Sequence, residues 1–239
     1  MRTPKSVINR ALSVFGLKLS RIYPISSATD AFSPLFQHKK VVDLNNLVKI
    51  ANEIPGMLSE ESGKNLFTLC YTQQLEGDVV EIGSWQGYST SFLARAVAES
   101  RNGRMYAIDH FKGNVGKENF YAVEKSDLSD LQENFRANMA HLGLTRWVKL
   151  LAMSNQDAAQ QLRREAVRAR FLFIDGDHSR EGVQRDIELF FPFLMKGSIV
   201  VFDDCSLSAP GVIEAVDTLL RDSRCQKAFA FPNTVVIII

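Results

Sequence analysis

The stretch Asp78-Val79-Val80-Glu81-Ile82-Gly83-Ser84-Trp85-Gln86-Gly87-Tyr88-Ser89-Thr90 decides how the rest of the chain is read. Its first five residues form a short apolar run with strand character, and a helical pattern follows from about Tyr88 to Glu99. The two glycines between them let the backbone turn sharply and come close to a ligand at a helix N-terminus. A strand entering a helix through such a turn is half of a βα unit, and the pattern recurs. Strand-like runs lie at Arg104 to Ile108, Trp147 to Ala152, Phe171 to Ile174 and Ser198 to Phe202. Helical patterns lie at Glu60 to Gln74, Leu128 to His141, Asn155 to Val167, Arg180 to Leu194 and Gly211 to Leu220. Nearly all-apolar strands alternating with amphipathic helices imply a doubly wound α/β fold, a mostly parallel sheet covered on both faces. The final pair, Lys227 to Phe231 and Thr234 to Ile239, is joined only by Pro232 and Asn233, so these two strands are expected to be antiparallel.

Composition narrows the function classes. The 239 residues are 46% hydrophobic and 23% charged, enough apolar content for a sizeable core. Lys and Arg number 28 against 27 for Asp and Glu, and a net charge of +1 carries no electrostatic footprint of a nucleic-acid binder. Cys70, Cys205 and Cys225 are far apart and fit neither a disulfide scaffold nor zinc spacing, which points to a reducing, cytoplasmic setting. No apolar run approaches the roughly 18 residues that span a bilayer, and Asn9, Arg10 and Lys18 interrupt the place of a signal peptide's apolar region.

In a sheet of this kind ligands bind beyond the carboxyl ends of the strands, near the point where the strand order reverses. At the first such end the dinucleotide pattern G-x-G-x-x-G is absent, which weakens an NAD-linked oxidoreductase reading. The second strand ends at Asp109, 22 residues after Gly87, where an acid meets the ribose hydroxyl pair of a dinucleotide or an adenosyl cofactor. Asp175 ends the fourth strand, and Asp203 and Asp204 end the fifth. Neighbouring strands lie about 4.8 Å apart, so these three acids converge, and a hard divalent metal such as Mg²⁺ relieves their repulsion. The bland alternative is that individual acids cap turns, Asp177 especially.

The set Glu81-Ile82-Gly83 with Gly87, then Asp109, then Phe173-Ile174-Asp175-Gly176-Asp177-His178, then Val201-Phe202-Asp203-Asp204 resembles the class I S-adenosylmethionine-dependent methyltransferases. Within them it is most similar to the bacterial macrocin and mycinamicin sugar O-methyltransferases, and more distantly to the catechol and caffeoyl-CoA types. The similarity covers roughly Ser59 to Ile239, and Trp85 stands where a middle glycine is common. The resemblance implies a seven-stranded sheet with one antiparallel strand and a methyltransferase domain over residues 58–239. It also implies that S-adenosylmethionine is held by Glu81, Gly83, Ser84, Gly87, Ser89, Asp109, Asn155 and Asp175. In that arrangement the glycine turn takes the methionine end, Asp109 the ribose, and Asn155 with Gln156 the adenine. Asp175, Asp203 and Asp204 would hold the metal, and His178 would be the general base for a hydroxyl of a small-molecule acceptor, a sugar or glycoside first. A catechol or polyketide acceptor, or a non-catalytic binding protein on the same fold, are the alternatives.

The segment ahead of this domain, residues 1–57, is different in kind. Residues 1–50 carry eight Lys or Arg against two Asp. Val7, Ile8, Ala11, Leu12, Val14, Phe15 and Leu19 recur at helical spacing, which reads as a basic amphipathic helix. Its apolar stripe needs covering, by the enzyme itself or a homo-oligomer partner, with peripheral contact to an anionic membrane as the alternative. The aperiodic stretch from Phe111 to Lys125 reads as a loop covering the substrate.

Overall fold

A computed structural model describes residues 42–112 and 130–239. The basic N-terminal helix and most of the expected substrate loop lie outside the described residues. In chain order the elements are α1 (Leu44–Ala51), α2 (Glu60–Thr72), β1 (Asp78–Ile82), α3 (Tyr88–Ser100), β2 (Met105–Ile108), α4 (Leu131–His141) and β3 (Val148–Leu151). There follow α5 (Asn155–Arg164), β4 (Ala169–Ile174), α6 (Arg180–Phe190), a 3₁₀ turn (Phe191–Phe193), β5 (Leu194–Phe202), α7 (Pro210–Leu219), β6 (Lys227–Phe231) and β7 (Thr234–Ile238).

The strands form one seven-stranded sheet in the order β3-β2-β1-β4-β5-β7-β6. β3, β2, β1, β4 and β5 run parallel, while β7 is antiparallel to both β5 and β6. The terminal hairpin is thus as the short Pro232-Asn233 connection requires, and Asn233 adopts a left-handed φ of 59° to close it. Successive side chains on each parallel strand enter opposite cores, which is why the strands read as continuously apolar. Val79, Met105, Phe171, Phe173 and Val201 face one core, packed by Leu66 and Phe67 of α2, Phe92 of α3 and Phe135 of α4. Val80, Ile82, Ile108, Leu172, Ile174 and Phe202 face the other, packed by Leu162 of α5, Val183 and Phe190 of α6 and Val216 of α7. Leu47 and Val48 of α1 are buried in the first core, so the boundary drawn at 57/58 from the sequence falls inside this packed unit.

Several element ends differ from the sequence pattern, β5 starting at Leu194 rather than Ser198 among them. The helical pattern through Leu194 stops at Phe190, because Pro192 has no N–H to continue the ladder and turns the chain into the 3₁₀ segment. β4 starts at Ala169 rather than Phe171 because Arg170, though charged, is completely buried. Its guanidinium donates to the carbonyls of Gly77 (3.1 Å), Cys70 (2.6 Å) and Asn102 (3.3 Å), which satisfies it without a carboxylate.

Candidate active site

The strand order reverses between β1 and β4, so the connections leaving their carboxyl ends pass to opposite faces of the sheet and a crevice lies between them. Gly83 follows β1 with φ +85°, and a Cβ there would sit 1.9 Å from the Asp175 carbonyl oxygen, so the two strand ends touch backbone to backbone. Only glycine fits this position. Trp85 also has a left-handed φ of 42°. Gly87, at φ 94°, is the N-cap of α3 and supplies no capping side chain. Helices α2, α5 and α6 start instead on Ser59, Ser154 and Ser179, whose hydroxyls accept from their own first turns. No side chain caps the first-turn N–H groups of α3, as is also the case at the starts of α4 and α7. Ser84, 2% exposed, carries a hydroxyl with no hydrogen-bond partner among the described residues. An orphaned buried hydroxyl beside an uncapped helix start fits the polar end of a bound cofactor.

Glu81 sits one residue before the end of β1 and is completely buried. Thr90 donates to its Oε2, while Oε1 makes no hydrogen bond among the described residues. Burial raises its pKa from 4.5 to about 8, the hydroxyls of Ser89 and Thr90 pull it back, and the charges of Asp175 and Asp109 push it further up. Burial thus favours the neutral form of Glu81. Asp109, at the end of β2, accepts from the Trp85 N–H at 2.8 Å through Oδ2 and from the Phe111 N–H at 2.7 Å through Oδ1. The expected ribose acid thus also braces the glycine turn. His110 is exposed, and its Nδ1 accepts from the Lys112 N–H.

Across the crevice, His178 Nε2 lies 3.6 Å from Asp175 Oδ1 and 3.4 Å from Asp204 Oδ2. Asp175, His178 and Asp204 each present one ligand atom within 4.8 Å of the others. Two carboxylates and an imidazole are a donor set that suits a divalent cation. Asp203 is not part of that group. It follows the last residue of β5 and accepts from the Thr234 hydroxyl of β7 at 3.1 Å, whereas Asp204, at φ 50°, turns toward His178. Burial first, then the charges of Asp175 and Asp204, push Asp203 up to about 7. Burial likewise raises Asp175, though 27% of its side chain meets solvent, and His178 opposes the rise. The Asp175 carboxylate raises His178 above 6.5 against the effect of burial. Asp177 is a turn residue: its Oδ1 accepts from the Ser179 N–H at 2.8 Å. Cys205 packs partly buried against the second core.

At the far side of the crevice Asn155 opens α5, and its Nδ2 donates to Asp186 Oδ1 at 2.6 Å. Asp186 was absent from the residues singled out in the sequence. The signal was its place between Val183 and Phe190 on one helical stripe, where an acid facing a core must have a partner.

A family profile described as a methyltransferase domain matches residues 80–205, more than half of the chain. The chain belongs to this methyltransferase family. The matched span runs from Val80 of β1 to the residue after Asp204 and so contains the glycine turn, Asp109, Asp175, His178 and Asp204. The fold is shared by solved methyltransferases. An O-methyltransferase from Bacillus cereus, solved with S-adenosylhomocysteine, is 18% identical, with 90% of this chain and all of that one covered at a TM-score of 0.58. TomG of Streptomyces achromogenes, an O-methyltransferase of tomaymycin synthesis solved with S-adenosylmethionine, is 20% identical over 89% of this chain and 96% of its own, at 0.58. The O-methyltransferase NovP is 22% identical over 77% and 81%, at 0.60. Among curated proteins, the uncharacterized protein R132 of Acanthamoeba polyphaga mimivirus is 38% identical over 67 residues. That match spans 27% of this chain and 30% of the relative.

Proposed function

We propose that this methyltransferase transfers a methyl group to a hydroxyl oxygen of a small-molecule acceptor, most simply a sugar or glycoside. The observation that carries the reading is the His178 imidazole between the Asp175 and Asp204 carboxylates, at the strand ends that flank the uncapped glycine turn. S-adenosylmethionine, when bound, supplies the methyl group as a sulfonium, which needs no electron-pair donor other than the acceptor oxygen. The turn from Gly83 to Gly87 and the Ser84 hydroxyl would hold its amino-acid end, and Asp109 would accept from its ribose hydroxyls.

The chemistry left to the chain is removal of one proton and the holding of two reactants in line. The His178 imidazole takes the proton of the acceptor hydroxyl, and the neighbouring Asp175 and Asp204 carboxylates stabilise the imidazolium that results. Asp175 and Asp204, with Asp203 beside them, are the residues that would hold a divalent cation such as Mg²⁺, whose charge offsets theirs and makes a nearby hydroxyl more acidic. The resemblance to sugar O-methyltransferases in the motif residues favours a glycoside acceptor. No described helix is long and apolar enough to cross a membrane.

The test is mass spectrometry of a glycoside panel incubated with the full chain and methyl-labelled S-adenosylmethionine, with and without Mg²⁺. Formation of S-adenosylhomocysteine with a labelled glycoside is the expected result. Binding of NAD but not of S-adenosylmethionine in calorimetric titration overturns the reading.

A further inference from the structure

The terminal hairpin ends the sheet on an edge that pairs with no strand among the described residues. β6 meets β7 along one side only, in an unbroken register from Lys227↔Ile238 to Phe231↔Thr234. All five of its residues are exposed, Phe229 by 49% and Phe231 by 47%. Phe229 stands opposite the buried Val236 of β7, so the apolar face of the first core runs out to this edge and stops there uncovered. Edge strands are ordinarily protected by a bulge, a proline within the strand or charges along it. β6 has no bulge and no internal proline, and its single charge, Lys227, stands at the end away from the turn.

The backbone directions fix which groups point outward. On the β6 side of β7, the Ile238 carbonyl accepts from the Gln226 N–H. On the β5 side, the Asn233 carbonyl accepts from the Cys205 N–H and the Ile239 N–H donates to the Ser198 carbonyl. Thr234, Val236 and Ile238 therefore turn their backbone groups to β6, and the residues opposite them, Phe231, Phe229 and Lys227, turn theirs to β7. Ala228 and Ala230 are left with N–H and C=O groups aimed out of the sheet.

An antiparallel second copy of the strand offers the matching set. With Ala228 opposite Ala230 of the copy, and Ala230 opposite its Ala228, every outward N–H and C=O group on both strands is paired. A shift of the register toward the turn sets Ala228 against Pro232, which has no N–H. A shift the other way sets Ala230 against Gln226, whose N–H is already given to Ile238. The register that remains puts the two Phe229 rings side by side on the two-fold axis and brings each Lys227 ammonium to the Phe231 ring of the other copy. The strand is thus complementary to itself reversed, which is what an isologous interface requires.

We propose that β6 is a homodimer interface, at which two copies of the chain join edge to edge about a two-fold axis through Phe229 into one continuous sheet. The interface is independent of the methyl acceptor and of the site at the strand ends.

Sedimentation velocity of the full chain is expected to show a dimer at about 100 μM that dissociates on dilution, because a single strand pair lies at the low end of interface size. Phe229→Lys sets like charges directly opposite each other on the axis and is expected to sediment as a monomer at the same concentration, with an unchanged circular dichroism spectrum. Cross-linking reads the register. Facing residues that do not share backbone hydrogen bonds lie about 4.5 Å apart at Cα, so Phe229→Cys is expected to form a disulfide with its own copy under mild oxidation. Ala230→Cys sits on the diagonal, about 7 to 8 Å from its own copy, and is expected to stay unlinked. Peptide mass spectrometry locates the bond, with the wild-type protein and its native cysteines as the blank. A full chain that is monomeric at that concentration overturns the proposal, whether water, another segment or a foreign peptide meets the edge. So does a dimer that survives Phe229→Lys, or one that cross-links in Ala230→Cys and not in Phe229→Cys.

Discussion

Replacing Glu81 with Gln isolates the cost of keeping a carboxyl under the glycine turn. The side chain is fully buried, and its pKa is raised from 4.5 to about 8, chiefly by burial and then by the charges of Asp175 and Asp109. Between those two pH values the folded chain holds a proton on Glu81 that the unfolded chain has released, so folded stability falls as pH rises through the window. Below about pH 4.5 both states are protonated and the penalty is absent; above about 8 it is complete. At about 1.4 kcal/mol per pH unit, the wild-type protein loses about 3 kcal/mol from this group between pH 5.5 and pH 8. Glu81→Gln keeps the neutral shape of the protonated acid and does not titrate. Asp175 and Asp203 add losses of the same sign, but they are common to both proteins and cancel in the comparison. Thermal melts of the two ligand-free proteins, followed by circular dichroism, are expected to separate by about 6 to 12 °C more at pH 8 than at pH 5.5, given about 2 to 4 °C per kcal/mol in a chain of this size. Melting curves that run parallel over that range would show that Glu81 is ionised in the folded protein and refute the argument from burial.

Gly83→Ala places a methyl group 1.9 Å from the Asp175 carbonyl at φ +85°, and urea unfolding is expected to show a loss of more than about 2 kcal/mol or no folded protein; a normal transition would mean that the β1 and β4 ends can separate freely. Asp109→Ala removes the acceptor for the Trp85 and Phe111 N–H groups as well as the ribose partner, so calorimetric affinity for S-adenosylmethionine should fall by about 1 to 3 kcal/mol, and unchanged affinity would take Asp109 out of the site. His178→Ala is expected to slow the single-turnover methyl transfer by about 10² to 10⁴ with S-adenosylhomocysteine affinity preserved, and a wild-type rate would leave His178 a packing residue only.

The parts of the fold that could be read from the sequence are those where several local rules agree. In Asp78 to Thr90 an apolar run, two glycines and an amphipathic helix all describe the same βα turn, and the chain follows it closely. Arg170 is the opposite case. A charge inside an apolar run reads as a strand boundary, and it belongs within the strand only because carbonyls of Gly77, Cys70 and Asn102, distant in sequence, converge on it. The candidate site divides along the same line. That Asp175, Asp203 and Asp204 stand at neighbouring strand ends follows from strand pattern alone. Which of two consecutive acids turns toward His178 does not, because side chains alternate along a strand and the choice is made by contacts beyond it. Here Thr234 of β7 takes Asp203, and the left-handed turn at Asp204 swings the second carboxylate to within 3.4 Å of His178 Nε2. The antiparallel β7 strand therefore does more than extend the sheet: pairing beside β5, it selects the acid that faces the imidazole.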